Sequence, residues 1–360
     1  MENTEYDIKS MTPSEVSELI VSLGDKKFRA KQIYQWMHQK LVASYEEMTN
    51  VPAALRQKLA AEYPLTVLEP VRVQISQIDG TRKYLFRLSD GNLIESVLMK
   101  YHHGNSVCIS SQVGCRMGCR FCASTIDGLV RGLLPSEMLE QIYRIQKDIG
   151  ERVDNVVVMG SGEPFDNFDN LLRFIELLNN EEGLNISARN LTVSTCGIVP
   201  KIYELADMQP QITLAISLHS PNDELRRSIM PVANKYSIDE IMKACRYYVE
   251  KTGRRITFEY SLVKDVNDTD ECAMQLVHLV KGIKCHVNLI PVNPIKERDY
   301  KQTAQAGVSH FRNRLEKCGV NATVRREMGR DIDGACGQLR RSYMESTDSN
   351  ADAPEAIKQE

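Results

Sequence analysis

The chain has 360 residues, a net charge of −3 and 42% hydrophobic residues, which suffices for one large domain and a small one. No apolar run reaches the roughly 18 residues of a membrane span, and the polar, acidic start lacks the basic-then-apolar order of a signal peptide. We therefore expect a cytoplasmic protein with no membrane partner, whose ten cysteines are mostly reduced. Such thiols serve as ligands, reactive groups or small core residues rather than a disulfide scaffold. The charge is uneven. Segment 345–360 carries five acids and one lysine, so the remainder is net +1. Segment 26–45 holds five Lys or Arg and no acid. A local patch of this kind, rather than the total, is what meets phosphate.

In chain order, Thr12-Pro13-Ser14-Glu15 predicts a capped helix start, and Gly24 can end that helix. Segment 26–41 follows with Phe28, Ile33, Trp36, Met37 and Leu41 at near-helical spacing, and 52–63 is a third helix. Strands are then expected at 66–76, 81–88 and 92–100, separated by Asp79-Gly80 and Asp90-Gly91, a strong hairpin signal. From residue 105 the pattern alternates. Strands are expected at 107–111, 155–159, 191–195, 212–218, 256–262, 286–290 and 323–325. Helices between them include 135–149, 238–251 and 269–281. This predicts an α/β fold with a parallel sheet and right-handed crossovers. Six or so units suit an open, incomplete βα barrel, with ligands at the carboxyl ends of its strands. The expected domains are a helical accessory domain (1–65), an antiparallel meander (66–104), the barrel with a C-terminal loop (105–343) and a disordered acidic tail (344–360).

The strongest motif is Cys115-Arg-Met-Gly-Cys119-Arg-Phe-Cys122, placed directly after the first barrel strand. Three thiols within eight residues, on a loop carrying Gly114 and Gly118, can face one centre, and such thiolates hold iron–sulfur clusters. A structural zinc would want a fourth Cys or His at knuckle spacing, and none follows, although His102 and His103 lie upstream. Met159-Gly-Ser-Gly-Glu-Pro164 follows an apolar strand. It reads either as a ligand-approach loop, with Glu163 able to accept from an ammonium group, or as a strand-to-helix turn. Cys196, Cys245, Cys272, Cys285 and Cys318 read as packing residues. Cys336 stands between Gly334 and Gly337, outside any core helix, where a thiol can act as a nucleophile. Cys108 lies on the first barrel strand, and the packing reading competes there. The leader 26–41, with Phe28, Tyr34 and Trp36 among its lysines, reads equally as an RNA-binding element or an amphipathic core helix.

The cysteine loop opening a βα barrel resembles the radical S-adenosylmethionine superfamily. Cys108-Ile-Ser-Ser-Gln-Val-Gly-Cys115, Gly160-Ser-Gly-Glu-Pro164, Ser217-Leu-His-Ser220 and Asp331-Ile-Asp-Gly-Ala-Cys-Gly-Gln338 narrow the resemblance to the RlmN/Cfr family of RNA methyltransferases, over residues 10–342. The resemblance implies a [4Fe–4S] cluster on Cys115, Cys119 and Cys122, and two molecules of S-adenosyl-L-methionine per turnover. Gly162, Glu163, Ser194, Ser217, Leu218, His219 and Asn293 would line the cofactor site. Cys336 would be methylated and then joined to adenine, Cys108 would resolve that adduct through a transient disulfide, and Glu95 would be the proton acceptor. The implied substrate is adenosine C2 in 23S rRNA, at the peptidyl transferase centre, and in tRNA beside the anticodon. Partners would be those RNAs and an electron donor such as flavodoxin or ferredoxin, with the enzyme a monomer whose N-terminal domain holds folded RNA. Arg325, Arg326, Arg330, Arg340 and Arg341 would grip phosphates near the target base. Two alternatives stay open. A Cfr-type enzyme, associated with antibiotic resistance, would methylate C8 of 23S rRNA adenosine; Pro164 speaks for the RlmN type, since Cfr-type chains typically have Ala there. A non-catalytic metal-binding RNA module would leave Cys336 and the strand-end glycines without a purpose.

Overall fold

The computed structural model describes residues 7–292, 300–333 and 337–351. The leader forms α1 (Pro13–Ser22), α2 (Phe28–His38) and α3 (Ala53–Glu62). The start of α1 is a capping box: Thr12 Oγ1 accepts from the Glu15 amide, and the Glu15 carboxylate accepts from the Thr12 amide. Ile8, Val16, Ile20, Ile33, Met37, Leu55 and Leu59 close a small core of its own. Tyr34 belongs to that core and is fully buried, so the expectation that it dresses an RNA-facing surface is corrected. It falls beside Ile33 and Met37 on the inner face of α2, where the helical period places it.

An antiparallel meander follows: β1 (Glu69–Ile75), β2 (Arg82–Arg87), β3 (Leu93–Tyr101) and β4 (Gly104–Ile109). Strand β4 is also the first strand of the barrel. Strands β5 (Gln112–Gly114) and β6 (Leu129–Gly132) pair as a separate hairpin that frames the cysteine loop. The barrel continues through β7 (Asn155–Val158), β8 (Leu191–Thr195), β9 (Thr213–Ser217), β10 (Ile256–Leu262), β11 (Cys285–Pro291) and β12 (Ala322–Val324). Among the described residues the sheet runs β1-β2-β3-β4-β7-β8-β9-β10-β11-β12, and every pair from β4 onward is parallel. The meander therefore extends the barrel sheet rather than linking to it.

Helices α4 (Pro135–Ile149), α5 (Phe168–Asn179), α6 (Val199–Met208), α7 (Asp223–Ile229), α8 (Ile238–Thr252), α9 (Asp270–Val280) and α10 (Gln305–Lys317) alternate with the strands. Alternate strand residues such as Val156, Val158, Val193, Ile216, Phe258 and Leu289 join the main core. Their neighbours Ser194, Ser217, Glu259 and Ile290 line a concave cavity instead. The chain ends in α11 (Gln338–Ala351). Disorder from residue 344 is thus corrected as far as Ala351: segment 344–351 holds no Gly or Pro to stop a helix already started.

The leader is fastened to the barrel by buried polar contacts. The Lys9 ammonium donates to Glu140 Oε1 at 2.7 Å and to the Thr66 carbonyl at 2.8 Å. His38 Nδ1 meets the Tyr143 hydroxyl at 2.6 Å. No helix among the described residues is long and apolar enough to cross a membrane.

Candidate active site

The cavity lies at the carboxyl ends of the barrel strands and has a volume of about 200 Å³. The β5–β6 hairpin presents the cysteine loop to it. At Gly114 the backbone is left-handed (φ 73°), and a Cβ there would stand 2.0 Å from the Gly128 carbonyl oxygen, so the hairpin can close only around glycine. The Cys115 amide donates to that same carbonyl at 2.8 Å. Thr125 Oγ1 donates to the Cys119 and Cys122 carbonyls, and the Arg120 amide ties the loop to the Ile229 carbonyl.

Cys115, Cys119 and Cys122 all line the cavity, with Gly162, Glu163, Ser194, Ser217 and His219. Burial first, then the Cys122 thiol and the Glu163 and Asp166 carboxylates, push the Cys115 thiol up to about 12. The Cys119 thiol is raised by burial, then by the Cys122 and Cys115 thiols and Glu163. Burial likewise raises the Glu163 carboxyl. Acidic groups that oppose one another's ionisation in a dry site suit a cationic guest, which inverts that local balance. A cubane fits this donor set. Among the described residues no three His, Cys, Asp or Glu side chains form a single-ion site, and a cubane does not ask for one, since each thiolate takes a different iron.

Gly162 has φ 106°, and a Cβ there would lie 2.7 Å from the Gln112 amide nitrogen, so the loop after β7 packs directly on β5. Glu163 accepts from the Phe165 amide through Oε1 and from the Cys196 amide through Oε2. Ser194 and Ser217 hydroxyls meet at 3.2 Å across the ends of β8 and β9. His219 is buried, and its Nδ1 accepts from the Ser261 amide at 2.9 Å, which leaves the proton on Nε2. Its ring stands edge-on to Phe121 of the cysteine loop.

Leu218, expected in the cofactor site, is fully buried in the core and does not line the cavity. Its side chain alternates to the helix side of β9, and its amide donates to the Glu259 carbonyl. Asn293 and Cys336 lie outside the described residues. Two cavity residues go beyond the sequence reading. Cys196, read as packing, lines the cavity beside Glu163 because it follows directly on the end of β8. Glu259 stands in register with Ser217 and Asn288, and accepts from Asn288 Nδ2 at 2.8 Å. The packing reading is also corrected for Cys318, which is exposed after the end of α10.

The remaining site residues meet on the meander. Lys83 is in register with Val97, and Val97 with Cys108, so these three side chains share one face, and Glu95, two residues along, shares it too. Both carboxylate oxygens of Glu95 hold the start of the C-terminal segment: Oε2 accepts from the Gly337 amide and Oε1 from the Arg340 amide, each at 2.6 Å. Lys83 Nζ lies 3.1 Å from Glu95 Oε2 and donates to the Asp333 carbonyl at 2.5 Å. A Cβ on Gly337 would stand 3.0 Å from Ala123 Cβ, so the residue after Cys336 rests against the residue after Cys122. Upstream, Asp331 accepts from Ser76 and Gln77, and Asp79 accepts from the Gly329 amide. Of the arginines expected on phosphate, Arg325 lines the cavity, Arg330 pairs with Glu327, and Arg340 faces Asp127 at 3.8 Å.

On α2 the guanidinium of Arg29 lies 4.7 Å from the ring centre of Phe28, which is 52% exposed, and Lys40 Nζ lies 3.5 Å from that of Trp36. Cationic and aromatic groups thus share the outer surface of the leader.

An incomplete parallel barrel with a three-cysteine loop beside a glycine- and glutamate-bearing strand end defines a radical S-adenosylmethionine enzyme. Residues 109–277 match the radical SAM superfamily, and residues 6–64 match the ribosomal RNA large subunit methyltransferase N-terminal domain. The chain is 72% identical to a probable dual-specificity RNA methyltransferase RlmN of Lachnospira eligens, over 96% of this chain and 98% of the relative. It is 61% identical to the protein of the same description from Lachnoclostridium phytofermentans, over 95% and 96%. A crystal structure of a radical SAM methyltransferase from Sphaerobacter thermophilus superposes with a TM-score of 0.89 at 44% identity, covering 92% of this chain and 98% of that one. The chain belongs to the RlmN family of radical SAM RNA methyltransferases. It is a methyltransferase that acts on RNA, with S-adenosylmethionine and a [4Fe–4S] cluster implied by its family.

Proposed function

We propose that the enzyme methylates C2 of adenosine in 23S rRNA, at the peptidyl transferase centre, and in tRNA, beside the anticodon, by way of a methylated Cys336. Cys115, Cys119 and Cys122 would hold the cluster. Gly162, Glu163, Ser194, Ser217 and His219, with Asn293, would hold S-adenosylmethionine, which with the cluster supplies both the methyl group and the radical that activates it. Two molecules are used per turnover, because one donates the methyl and the other the radical. The Cys336 thiolate takes the methyl, the radical removes one hydrogen atom from it, and the carbon then bonds to adenine C2, joining protein to RNA once the C2 proton is lost; one electron would return to the cluster. Cys108 thiolate attacks the Cys336 sulfur. The sulfur–carbon bond to the RNA breaks, the leaving carbon takes up a proton to become the C2 methyl, and a Cys108–Cys336 disulfide forms, which a reductant must reopen. Glu95 would take the C2 proton, since a carboxylate oxygen that accepts one amide bond keeps a second lone pair.

The observation that carries this reading is the position of Gly337, which touches Ala123 of the cysteine loop while its amide sits on Glu95, on the face that bears Cys108. That placement also argues against a non-catalytic RNA module, which has no use for it. The exposed Phe28–Arg29 pair and the Trp36–Lys40 pair support RNA docking on the leader. We place the enzyme in the cytoplasm as a monomer, with a flavodoxin or ferredoxin as electron donor.

The test is Cys108→Ala. That variant should accumulate a covalent protein–RNA species through Cys336, visible as a gel shift that survives denaturation. Normal turnover, or a crosslink mapped to another residue, would refute the two-thiol scheme. Mass spectrometry of the RNA product separates 2-methyl- from 8-methyladenosine, and finding the latter would return the chain to the Cfr-type reaction.

A further inference from the structure

The Gly162–Glu163 peptide lies on the side chain of Gln112: a Cβ on Gly162 would stand 2.6 Å from Gln112 Cβ. Gln112 is buried, and both ends of its amide are engaged. Oε1 accepts from the Glu163 amide at 2.9 Å, and Nε2 donates to Asp166 Oδ2 at 3.1 Å. The other Asp166 oxygen accepts from Arg116, inside the cysteine loop. Arg116, Asp166 and Gln112 thus link the loop that bears the thiols to the residue that bears the cavity's carboxylate. Among the described residues no backbone hydrogen bond joins 115–122 to 160–166, so side chains carry that link. The Glu163 carboxylate cannot adjust on its own. Each of its oxygens already accepts an amide, from Phe165 and from Cys196. Its place relative to the thiols is set by its main chain, and that main chain rests on Gln112. An apolar filling of the same volume would be at least as stable as a buried amide and a carboxylate whose side chain is 9% exposed. What the polar groups add is a fixed direction.

We propose that Gln112, held by Asp166 and Arg116, positions Glu163 against the cysteine loop for the amino-acid end of S-adenosylmethionine. The proposal rests on the reading of Glu163 as acceptor of the cofactor's ammonium group, for which each carboxylate oxygen keeps a second lone pair. A guest that must meet both the thiol loop and Glu163 binds only as well as the two are spaced, because misplaced partners forfeit the hydrogen bond. Gln112, Asp166 and Arg116 are positioning residues: none of the three lines the cavity, and each acts through the next. The nucleoside end of the cofactor, which the strand ends of β8 and β9 would hold, does not depend on them.

The experiment is equilibrium dialysis, without reductant, on anaerobically reconstituted full-length protein, with iron and sulfide counted per chain. Two ligands are compared: S-adenosylmethionine, and 5′-methylthioadenosine, which keeps the nucleoside and the sulfur but lacks the amino-acid end. Gln112→Met keeps the volume and removes both hydrogen bonds. It should weaken S-adenosylmethionine binding by roughly 10- to 100-fold, the usual cost of losing a partner that orients a ligating group. Binding of 5′-methylthioadenosine should change by no more than about twofold. A merely structural glutamine would weaken both ligands alike, or lower the iron content and leave the affinity of the loaded protein unchanged, and either result overturns the proposal. Arg116→Gln alters a side chain that is 63% exposed, so the fold is not at risk. It should weaken S-adenosylmethionine alone, by roughly two- to fivefold, and should add nothing on top of Gln112→Met, since the two act in series. If Gln112→Met does not fold, Arg116→Gln decides by the same comparison. Glu163→Gln tests the underlying reading separately. Should it bind S-adenosylmethionine as tightly as the wild type, that reading falls and the proposal with it; should it bind weakly while Gln112→Met and Arg116→Gln bind normally, the proposal alone falls.

Discussion

Replacing Lys83 by Met removes the cation that Glu95 faces at 3.1 Å and the donor that holds the Asp333 carbonyl. Both partners are buried, with side-chain exposures of 0% and 5%. Breaking a buried ion pair from one side costs about 3–5 kcal/mol. Here the orphaned carboxylate keeps two charge-assisted amide bonds at the start of α11, a position that favours negative charge by roughly 1 kcal/mol. A net loss of about 2–4 kcal/mol is expected, confined to the junction between the meander and the segment around Gly337, because the barrel core does not depend on it. Hydrogen exchange on the native protein reads this directly. The Gly337 and Arg340 amides should lose protection by roughly 30- to 700-fold, at 1.4 kcal/mol per tenfold, with the β8 and β9 amides unchanged. Lys83→Met combined with Glu95→Gln should recover part of the loss, since a neutral pair leaves no stranded charge. Unaltered exchange at Gly337 in Lys83→Met would refute the clasp.

Gly162→Ala should lower S-adenosylmethionine affinity at least tenfold in equilibrium dialysis while the protein still folds, because the new Cβ would press on the β5 backbone at a left-handed φ; unchanged affinity would contradict this placement of the loop. Lys26→Ala/Lys27→Ala/Lys31→Ala should flatten the salt dependence of RNA binding by about 0.7–0.9 in log–log slope for each phosphate no longer neutralised. An unchanged slope would make these lysines merely solvated, and removal of the exposed Lys31–Glu182 pair should matter little for stability. Burial first, then the Lys9 charge, lower His38 to about 3. The folded state therefore takes up its proton later than the unfolded chain, so this stability is complete above about pH 6.5 and is lost as pH falls toward 3. His38→Gln should therefore lose about 2 kcal/mol less than the wild type between pH 6.5 and 5 in urea unfolding; equal losses would show that His38 does not titrate as argued.

Much of this is legible in the sequence, and the rest is hidden for identifiable reasons. Helix α4 announces itself by Pro135 at its first position and by an apolar face that needs no tertiary partner to be seen. The cysteine loop carries its meaning in spacing alone. The β5–β6 hairpin does not: strands of three and four residues are too short for a period, although they aim the three thiols. Tyr34 misleads because aromatics among lysines look alike whether they face RNA or the core, and only the helical phase separates the two. Cys196 reads as packing because its neighbour Glu163 is distant in sequence, and the link through Gln112, Asp166 and Arg116 is invisible without the fold.

The meander is where sequence distance conceals most. Glu95 and Cys108 sit on paired strands, so the ladder fixes their separation and their shared face before any ligand binds. Among the described residues, those on either side of Cys336 have no such ladder to this face. It is held from both sides by side chains: Gln74, Ser76, Asp79 and Lys83 grip residues 329–333, and Glu95 grips residues 337–340. Side-chain hydrogen bonds can be exchanged one at a time, whereas a sheet register shifts only as a whole. That division suits the proposed reaction, in which one thiol would meet first the methyl donor, then an RNA base and then Cys108, while the other thiol stays in place. It also ties the two meander tests together. If Lys83→Met loosens the clasp, the Cys108→Ala protein carrying it should form its RNA adduct more slowly, with the crosslink still on Cys336. An adduct that forms at an unchanged rate would mean that the clasp does nothing to position the thiol.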